Sequence, residues 1–284
     1  MDVGEPLFRS YLYVPGADEH RIGKALDGEA DAVVIDLEDA VAPERKEHAR
    51  RVTAEVVSAP LPKPVFVRIN SLGSGLAGDD LDLLGGPGLM GIRLPKAESA
   101  GQVREVARSM ADRRQPVMIV PLIESALGVE RAAEIAAADG VAALAMGEAD
   151  LRADLGVTVD DGLLYARSRC VTAARACGRF AIQSVFPDLG DTDGLAASTV
   201  RGRQMGFTGR SAIHPSQVAV INDVLTPTDD EIRRAEEVLD AYERGRREGS
   251  GAAVTAGRQF VDEAVVRAAR SVLRLAGRSH PGPA

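Results

Sequence analysis

Short apolar runs recur along the chain at nearly even intervals, and each closes on a charged or amide-bearing residue. The runs are Tyr11–Val14 (YLYV), Ala32–Leu37 (AVVIDL), Val65–Ile69 (VFVRI), Met90–Leu94 (MGIRL), Val117–Ile123 (VMIVPLI), Val141–Met146 (VAALAM), Phe180–Val185 (FAIQSV) and Phe207–Ile213 (FTGRSAI). Runs of four to seven residues bounded by polar segments predict buried strands. Between them, stretches such as SAGQVREVARSMADRR and GVERAAEIAAADG carry apolar residues three and four apart, which predicts amphipathic helices. Alternating strands and helices imply right-handed βαβ units and a parallel sheet. Eight units in about 215 residues predict an α/β fold, the (β/α)8 TIM barrel, in preference to a doubly wound open sheet.

The polar residues keep the same phase. Asp36, Arg68, Lys96, Glu124, Asp150, Gln183 and His214 are separated by 32, 28, 28, 26, 33 and 31 residues, close to one βα unit each. On a barrel these positions fall at the C-terminal rim, where barrel enzymes keep their chemistry. Strand ends are polar in any fold, but seven such residues of mixed sign in phase predict an active site.

Beyond IHPSQVAVINDVL the rhythm stops. Thr228 and Glu231 form a capping-box pattern (TDDE) ahead of a long helix, EIRRAEEVLDAYERGRRE. Gly249–Gln259 (GSGAAVTAGRQ) is small and hinge-like, and a last helix, VDEAVVRAARSVLRLAG, precedes a tail, RSHPGPA, expected to fray. The expected organisation is a catalytic barrel over 1–226 and a C-terminal helical extension over 227–284, whose final helix is a natural lid.

Composition narrows the partners. Across 284 residues, 34 Lys and Arg against 42 Asp and Glu give a net charge of −8, which argues against binding nucleic acid through its phosphates. Only 4% of residues are aromatic and Trp is absent, so no stacking platform for bases is expected. No apolar run approaches the ~20 residues of a membrane helix, and MDVGEPLFRS lacks the pattern of a signal peptide, so a cytoplasmic enzyme is the expectation. Cys170 and Cys177 sit seven residues apart on one predicted helix, out of disulfide reach, and are expected to be buried. The four histidines show no i,i+4 pairing, against a zinc site. Gly73-Ser-Gly75-Leu-Ala-Gly78 matches a dinucleotide fingerprint, but GGPG breaks the helix such a motif needs, leaving a rim loop.

Two constellations could carry chemistry. Glu124 and Asp150 follow adjacent predicted strands, and two carboxylates without histidine suit Mg2+, which keeps several waters. Its open positions would accept a bidentate α-keto acid. Arg68 and Lys96 are strand-end cations able to hold a carboxylate or a developing enolate, or to pair with Asp36, Glu38 and Asp39. Since the whole chain is acidic, Mg2+, Arg68 and Lys96 would have to supply a local positive field for acidic substrates.

RSYLYVPG, DAVVIDLEDAVAPERKEHAR, VFVRIN, IRLPK, VPLIESALG, MGEADLRADLG and GFTGRSAIHPSQV, in that order, resemble the citrate lyase β-subunit-like family. This is the group of malyl-CoA, citramalyl-CoA and citryl lyases within the HpcH/HpaI aldolase superfamily, and the resemblance spans about residues 8 to 275. It implies a TIM barrel, trimeric or hexameric, that performs Mg2+-dependent carbon–carbon cleavage or condensation. Its substrates would be an acyl-CoA or acyl-carrier thioester and an α-keto acid such as oxaloacetate, pyruvate or glyoxylate. Residue by residue, it implies Glu124 and Asp150 as metal ligands and Arg68 as the contact to the acid. Tyr13, Lys24, Ile213 and His214 would line the thioester cleft, and Glu38 and Asp39 would order metal waters and Arg68. Asp262, an N-cap when read bare, would be the acid–base residue of a segment that reaches a neighbouring subunit. His20 stands where many CoA-acting relatives carry lysine, and AGRQFVDEAV is a loose form of the lid motif. Two other classes remain open: a CoA-independent class II pyruvate aldolase, and a non-catalytic keto-acid-binding subunit of a larger complex.

Overall fold

The computed structural model describes residues 8–247, 252–255 and 257–277. The chain forms two compact units, one ending at Leu225 and the next beginning at Thr226. The first is a closed parallel barrel of eight strands: β1 (Ser10–Pro15), β2 (Ala32–Asp36), β3 (Val65–Arg68), β4 (Leu89–Leu94), β5 (Met118–Ile123), β6 (Ala143–Met146), β7 (Phe180–Gln183) and β8 (Gly209–Ala212). Each strand pairs with its sequence neighbour, and β8 closes onto β1 with Tyr11 opposite Ser211. All eight predicted strands are present, with ends within two residues of the predicted ones: β1 and β4 are slightly longer than their apolar runs, and the other six are one to three residues shorter.

Helices α1 (Glu19–Asp27), α2 (Lys46–Val57), α3 (Ala77–Leu83), α4 (Ala100–Asp112), α5 (Ala126–Glu130), α6 (Ala132–Ala136), α7 (Glu148–Leu155), α8 (Leu164–Ala176), α9 (Thr192–Met205) and α10 (Ser216–Leu225) belong to this unit. Their termini follow local chemistry: Asp18 caps α1, Ser99 and Gln102 form a reciprocal capping box on α4, and Gly206 ends α9 in the left-handed conformation. The helix expected over GVERAAEIAAADG is instead split into α5 and α6 at Arg131, whose backbone leaves the α region. The glycine-rich loop after β3 leads only into the seven-residue α3, where Asp80 is buried. Its carboxylate accepts from Arg50 Nε at 2.8 Å and from the Asn70 backbone and amide at 2.8 and 2.7 Å, so this loop is pinned.

Strand alternation creates two cores. Residues such as Val33, Ile35, Val65, Val67, Ile92 and Leu94 pack outward with the helices. Tyr11, Val34, Phe66, Val120, Leu122, Ala145 and Ile182 fill the barrel interior. Cys170 is fully buried on α8, whereas Cys177, expected to be buried too, is half-buried because it caps the end of that helix.

The second unit holds α11 (Asp229–Arg247), strands β9 (Ala253–Val254) and β10 (Phe260–Val261), and α12 (Glu263–Leu275). The capping box forms: Glu231 N–H donates to Thr228 Oγ1 and Glu231 Oε2 accepts from Thr228 N–H. Ile232, Val238, Leu239, Val261, Val266 and Leu273 make this unit's own core. The hinge-like stretch departs from expectation, since β9 and β10 pair antiparallel and Thr255 ties the turn between them. Residues 249–251 and 256 of that stretch, and the tail RSHPGPA, lie outside the described residues. Among the described residues, no helix is long and apolar enough to cross a membrane.

Candidate active site

At the C-terminal ends of the barrel strands lies a cavity of about 430 Å3. Its lining includes Tyr13, Asp36, Asp39, Arg68, Glu124, Asp150 and Ile213, which the sequence singles out. It also includes Arg21, Glu148, Ser184 and Ser211, which the sequence reading missed. The periodic polar positions therefore converge in part.

Glu124 follows β5 directly and is 5% exposed. Its Oε2 accepts the backbone N–H of Lys96 at 2.8 Å. Its Oε1 lies over Gly147, where a Cβ would sit 2.3 Å away, so only glycine leaves room for this carboxylate. Burial pushes the Glu124 carboxyl up to about 7, and the charges of Asp150 and Asp39 push the same way against the Lys96 N–H and Arg68. Asp150 arrives differently, four residues past β6 in the first turn of α7, and is exposed.

Arg68 ends β3 under a ring of acids. Its Nε and Nη2 donate to the two oxygens of Asp36 at 2.7 and 2.6 Å, and its Nη1 lies 3.2 Å from Glu38 and 3.1 Å from Asp39. Burial opposes its charge, yet the hydrogen bonds and charge of Asp36 hold its pKa above the ordinary value. Asp36 also accepts the backbone N–H groups of Glu38 and Ala40, folding the LEDA turn around itself. Glu38 is buried, and desolvation pushes its carboxyl up to about 8 despite Arg68. The ion pair expected for Arg68 thus forms. The one allowed for Lys96 does not.

Lys96, at a positive φ of 51°, gives Glu124 its backbone N–H while its side chain is exposed and does not line the cavity. Lys46 instead caps the acidic turn, donating to the carbonyls of Leu37 and Glu38 at 2.7 and 2.6 Å. Lys24 is exposed on α1, and Arg21, one helical turn earlier, takes the place at the cavity. Gln183 points outward: its amide donates to the Ser198 carbonyl on α9 at 3.0 Å and packs against Gly202. His214 is exposed and engages Ser216 Oγ at 2.8 Å, holding the turn into α10. Asp262 belongs to the second unit, where its Oδ1 accepts from Ala264 and Val265 and caps α12.

The lining carries Asp36, Asp39, Glu124, Glu148 and Asp150 against Arg21 and Arg68. Glu148 is neutralised from outside, held bidentately by Arg167 at 2.8 and 2.6 Å. Among the described residues, no cluster of three or more His, Cys, Asp or Glu could hold a metal. A pair of hard carboxylates lining one cavity without histidine fits a cation that keeps most of its waters rather than zinc.

Residues 9–215 match the model of the HpcH/HpaI aldolase/citrate lyase family. The chain belongs to this family. It is 37% identical to a citrate lyase subunit beta-like protein of Deinococcus radiodurans, over 96% of this chain and 99% of that one. It is 36% identical to a (3S)-malyl-CoA thioesterase of Cereibacter sphaeroides, over 95% and 94%. Among solved structures it resembles the CitE protein of Mycobacterium tuberculosis in complex with magnesium, acetoacetate and coenzyme A. There the TM-score is 0.79 at 35% identity, covering 96% of this chain and 99% of that one.

Proposed function

We propose that this family member is a Mg2+-dependent carbon–carbon lyase. It cleaves, or forms, a 3-hydroxy-carboxyacyl thioester of the citramalyl-CoA, malyl-CoA or citryl type, giving an acetyl thioester and an α-keto acid. The observation that carries the reading is the meeting of Glu124, Asp150 and Arg68 in one acidic cavity at the barrel mouth. The magnesium, acetoacetate and coenzyme A of the CitE relative support it.

Glu124 and Asp150 would hold the Mg2+. When bound, the ion supplies Lewis acidity toward the keto-acid carboxylate and the oxygen on the carbon being cleaved. Arg68, fixed in orientation by Asp36, offers positive charge as electron density moves from the substrate alkoxide toward the acetyl enolate. Glu38 and Asp39 hold Arg68 from its other side and order water at the mouth. Tyr13 and Ile213 give the thioester arm its wall, and Lys24, His214 and Lys96 stand outside it as exposed residues. Asp262 takes the proton role on the C-terminal arm: it receives the substrate hydroxyl proton and returns it to the enolate carbon. Assembly as a trimer or hexamer would let the arm of one subunit serve the cavity of another.

Malyl-CoA, citramalyl-CoA, citryl-CoA and free hydroxy-keto acids assayed in parallel test the reading. Release of acetyl-CoA with a keto acid from one thioester is expected, with loss by at least about 1000-fold in Glu124→Ala, roughly 4 kcal/mol of transition-state stabilisation. Retention of both Mg2+ binding and lyase activity in that variant would sink it. The thioesterase relative supports a second reading, hydrolysis, in which free CoA and malate appear in place of acetyl-CoA and glyoxylate.

A further inference from the structure

Below the cavity, inside the barrel, lies a guanidinium that the proposed chemistry does not use. Arg93, the next-to-last residue of β4, is 0% exposed. It stacks on the rings of Tyr11 and Tyr13, with its central carbon 4.6 and 5.2 Å from their centroids. No carboxylate pairs with it among the described residues. Its Nη1 makes both of its hydrogen bonds, to Tyr13 Oη and Ser211 Oγ, each at 2.9 Å, while Nε and Nη2 have no hydrogen-bond partner among the described residues.

A buried charge held only by neutral groups is a poor way to fill a barrel, and the surrounding interior is filled by Val34, Val120 and Leu122. Its two partners explain its presence better. Tyr13 and Ser211 both line the cavity, and both hydroxyl oxygens are occupied as acceptors by the same nitrogen. Neither hydroxyl donates to a protein acceptor among the described residues. With each oxygen 2.9 Å from Nη1, the two are no more than 5.8 Å apart. Two O–H donors thus remain free beside the cavity, polarised by a cation behind them.

The geometry points to a hydroxyl clamp: Tyr13 and Ser211 donate to one anionic oxygen of the bound acid, and Arg93 is the positioning residue that fixes both as donors. The proposal rests on the lyase reading for its substrate, but the ligand it requires is only a carboxylate or enolate oxygen. It also rewrites the part played by Tyr13, from cleft wall to donor, and adds Ser211 and Arg93 to the site.

Its test is a mutant cycle on the full-length protein with Mg2+, read by calorimetric affinity for oxaloacetate and by kcat and KM on the thioester that turns over. Tyr13→Phe combined with Ser211→Ala is expected to lower kcat by about 100-fold, as loss of an oxyanion donor does. Arg93→Met should cost a similar factor in the wild-type background and less than about twofold in the Tyr13→Phe/Ser211→Ala background, since its effect runs through those hydroxyls. Arg93→Lys should recover at least about tenfold of the loss. Equal losses from Arg93→Met in both backgrounds would mark Arg93 as structural only and overturn the clamp. So would a Tyr13→Phe/Ser211→Ala variant that matches wild type in oxaloacetate affinity and kcat, and this arm decides the matter if Arg93→Met does not fold. A wild-type protein that binds oxaloacetate but cleaves no thioester overturns the lyase reading alone, because the affinity arm still reports on the clamp.

Discussion

At the N-terminal end of the barrel Gly91 leaves room for the ring of Phe66, whose Cδ1 would lie 2.6 Å from a Cβ there; at the opposite end Gly147 leaves room for the carboxylate of Glu124. The same backbone device serves opposite ends. At the floor, Phe8, Tyr11 and Phe66 meet edge to face, with ring centroids 5.8 to 6.2 Å apart, and the gap is closed by apolar packing. At the mouth the gap admits an acid that burial pushes up to about 7, among other acids that repel it. The floor holds the barrel together, whereas the mouth gives up stability for a site that a cation can complete.

If this division is right, damage at the two ends separates cleanly. Phe66→Ala should cost about 3–5 kcal/mol of folding stability, measured by urea denaturation, while KM and kcat below the transition stay within about twofold of wild type. A Phe66→Ala protein of normal stability, or one folded but inactive, would break the comparison. Gly147→Ala should do the reverse. Its Cβ must displace Glu124 Oε1, so Mg2+ affinity should fall about 10- to 100-fold, roughly 1.4–2.7 kcal/mol, with the melting temperature almost unmoved. Calorimetric titration of Mg2+ checks it, and unchanged affinity would show that Glu124 does not need that space.

The sequence makes the two ends unequally legible. The floor and walls are written in apolar runs whose number and spacing already dictate the barrel. At the mouth, strand-end position brings Glu124, Asp150, Arg68 and Asp36 to the cavity. It fails for Gln183, Lys96 and His214, because the end of a strand gives height on the barrel but not direction. Gln183 faces α9, and Lys96 contributes a backbone N–H that any residue type carries. Arg93 and Arg210 stay hidden for another reason. Each sits inside an apolar run, and a charged residue there is normally assigned to the solvent side. Only the closed barrel reveals that Arg93 points inward to Tyr13 and Ser211, and that Arg210 points outward to Ser198 and Thr199.

Proton linkage offers the finest test, because carboxylates at the two ends are displaced in opposite directions. At the floor, burial opposes the Asp31 charge, but hydrogen bonds from Arg9 at 2.7 to 2.9 Å outweigh it and hold the carboxyl below its ordinary value. At the mouth, burial pushes Glu38 up to about 8 from an ordinary 4.5. A lowered carboxyl stabilises the fold at pH values above its unfolded pKa, and that contribution disappears as pH falls through the lower folded value. A raised one does the opposite: the folded protein keeps a proton that the unfolded chain releases, so stability declines as pH rises from about 4.5 to about 8. Urea midpoints of the EDTA-treated protein from pH 3 to 9 should therefore fall on both sides of a maximum. Asp31→Asn should weaken the protein by about 1 kcal/mol or less above pH 4 and flatten only the acid limb, whereas Glu38→Gln should flatten only the alkaline limb. If either substitution moved both limbs together, the floor and mouth would be one electrostatic unit, and the division between a stabilising end and a reactive end would have to be abandoned.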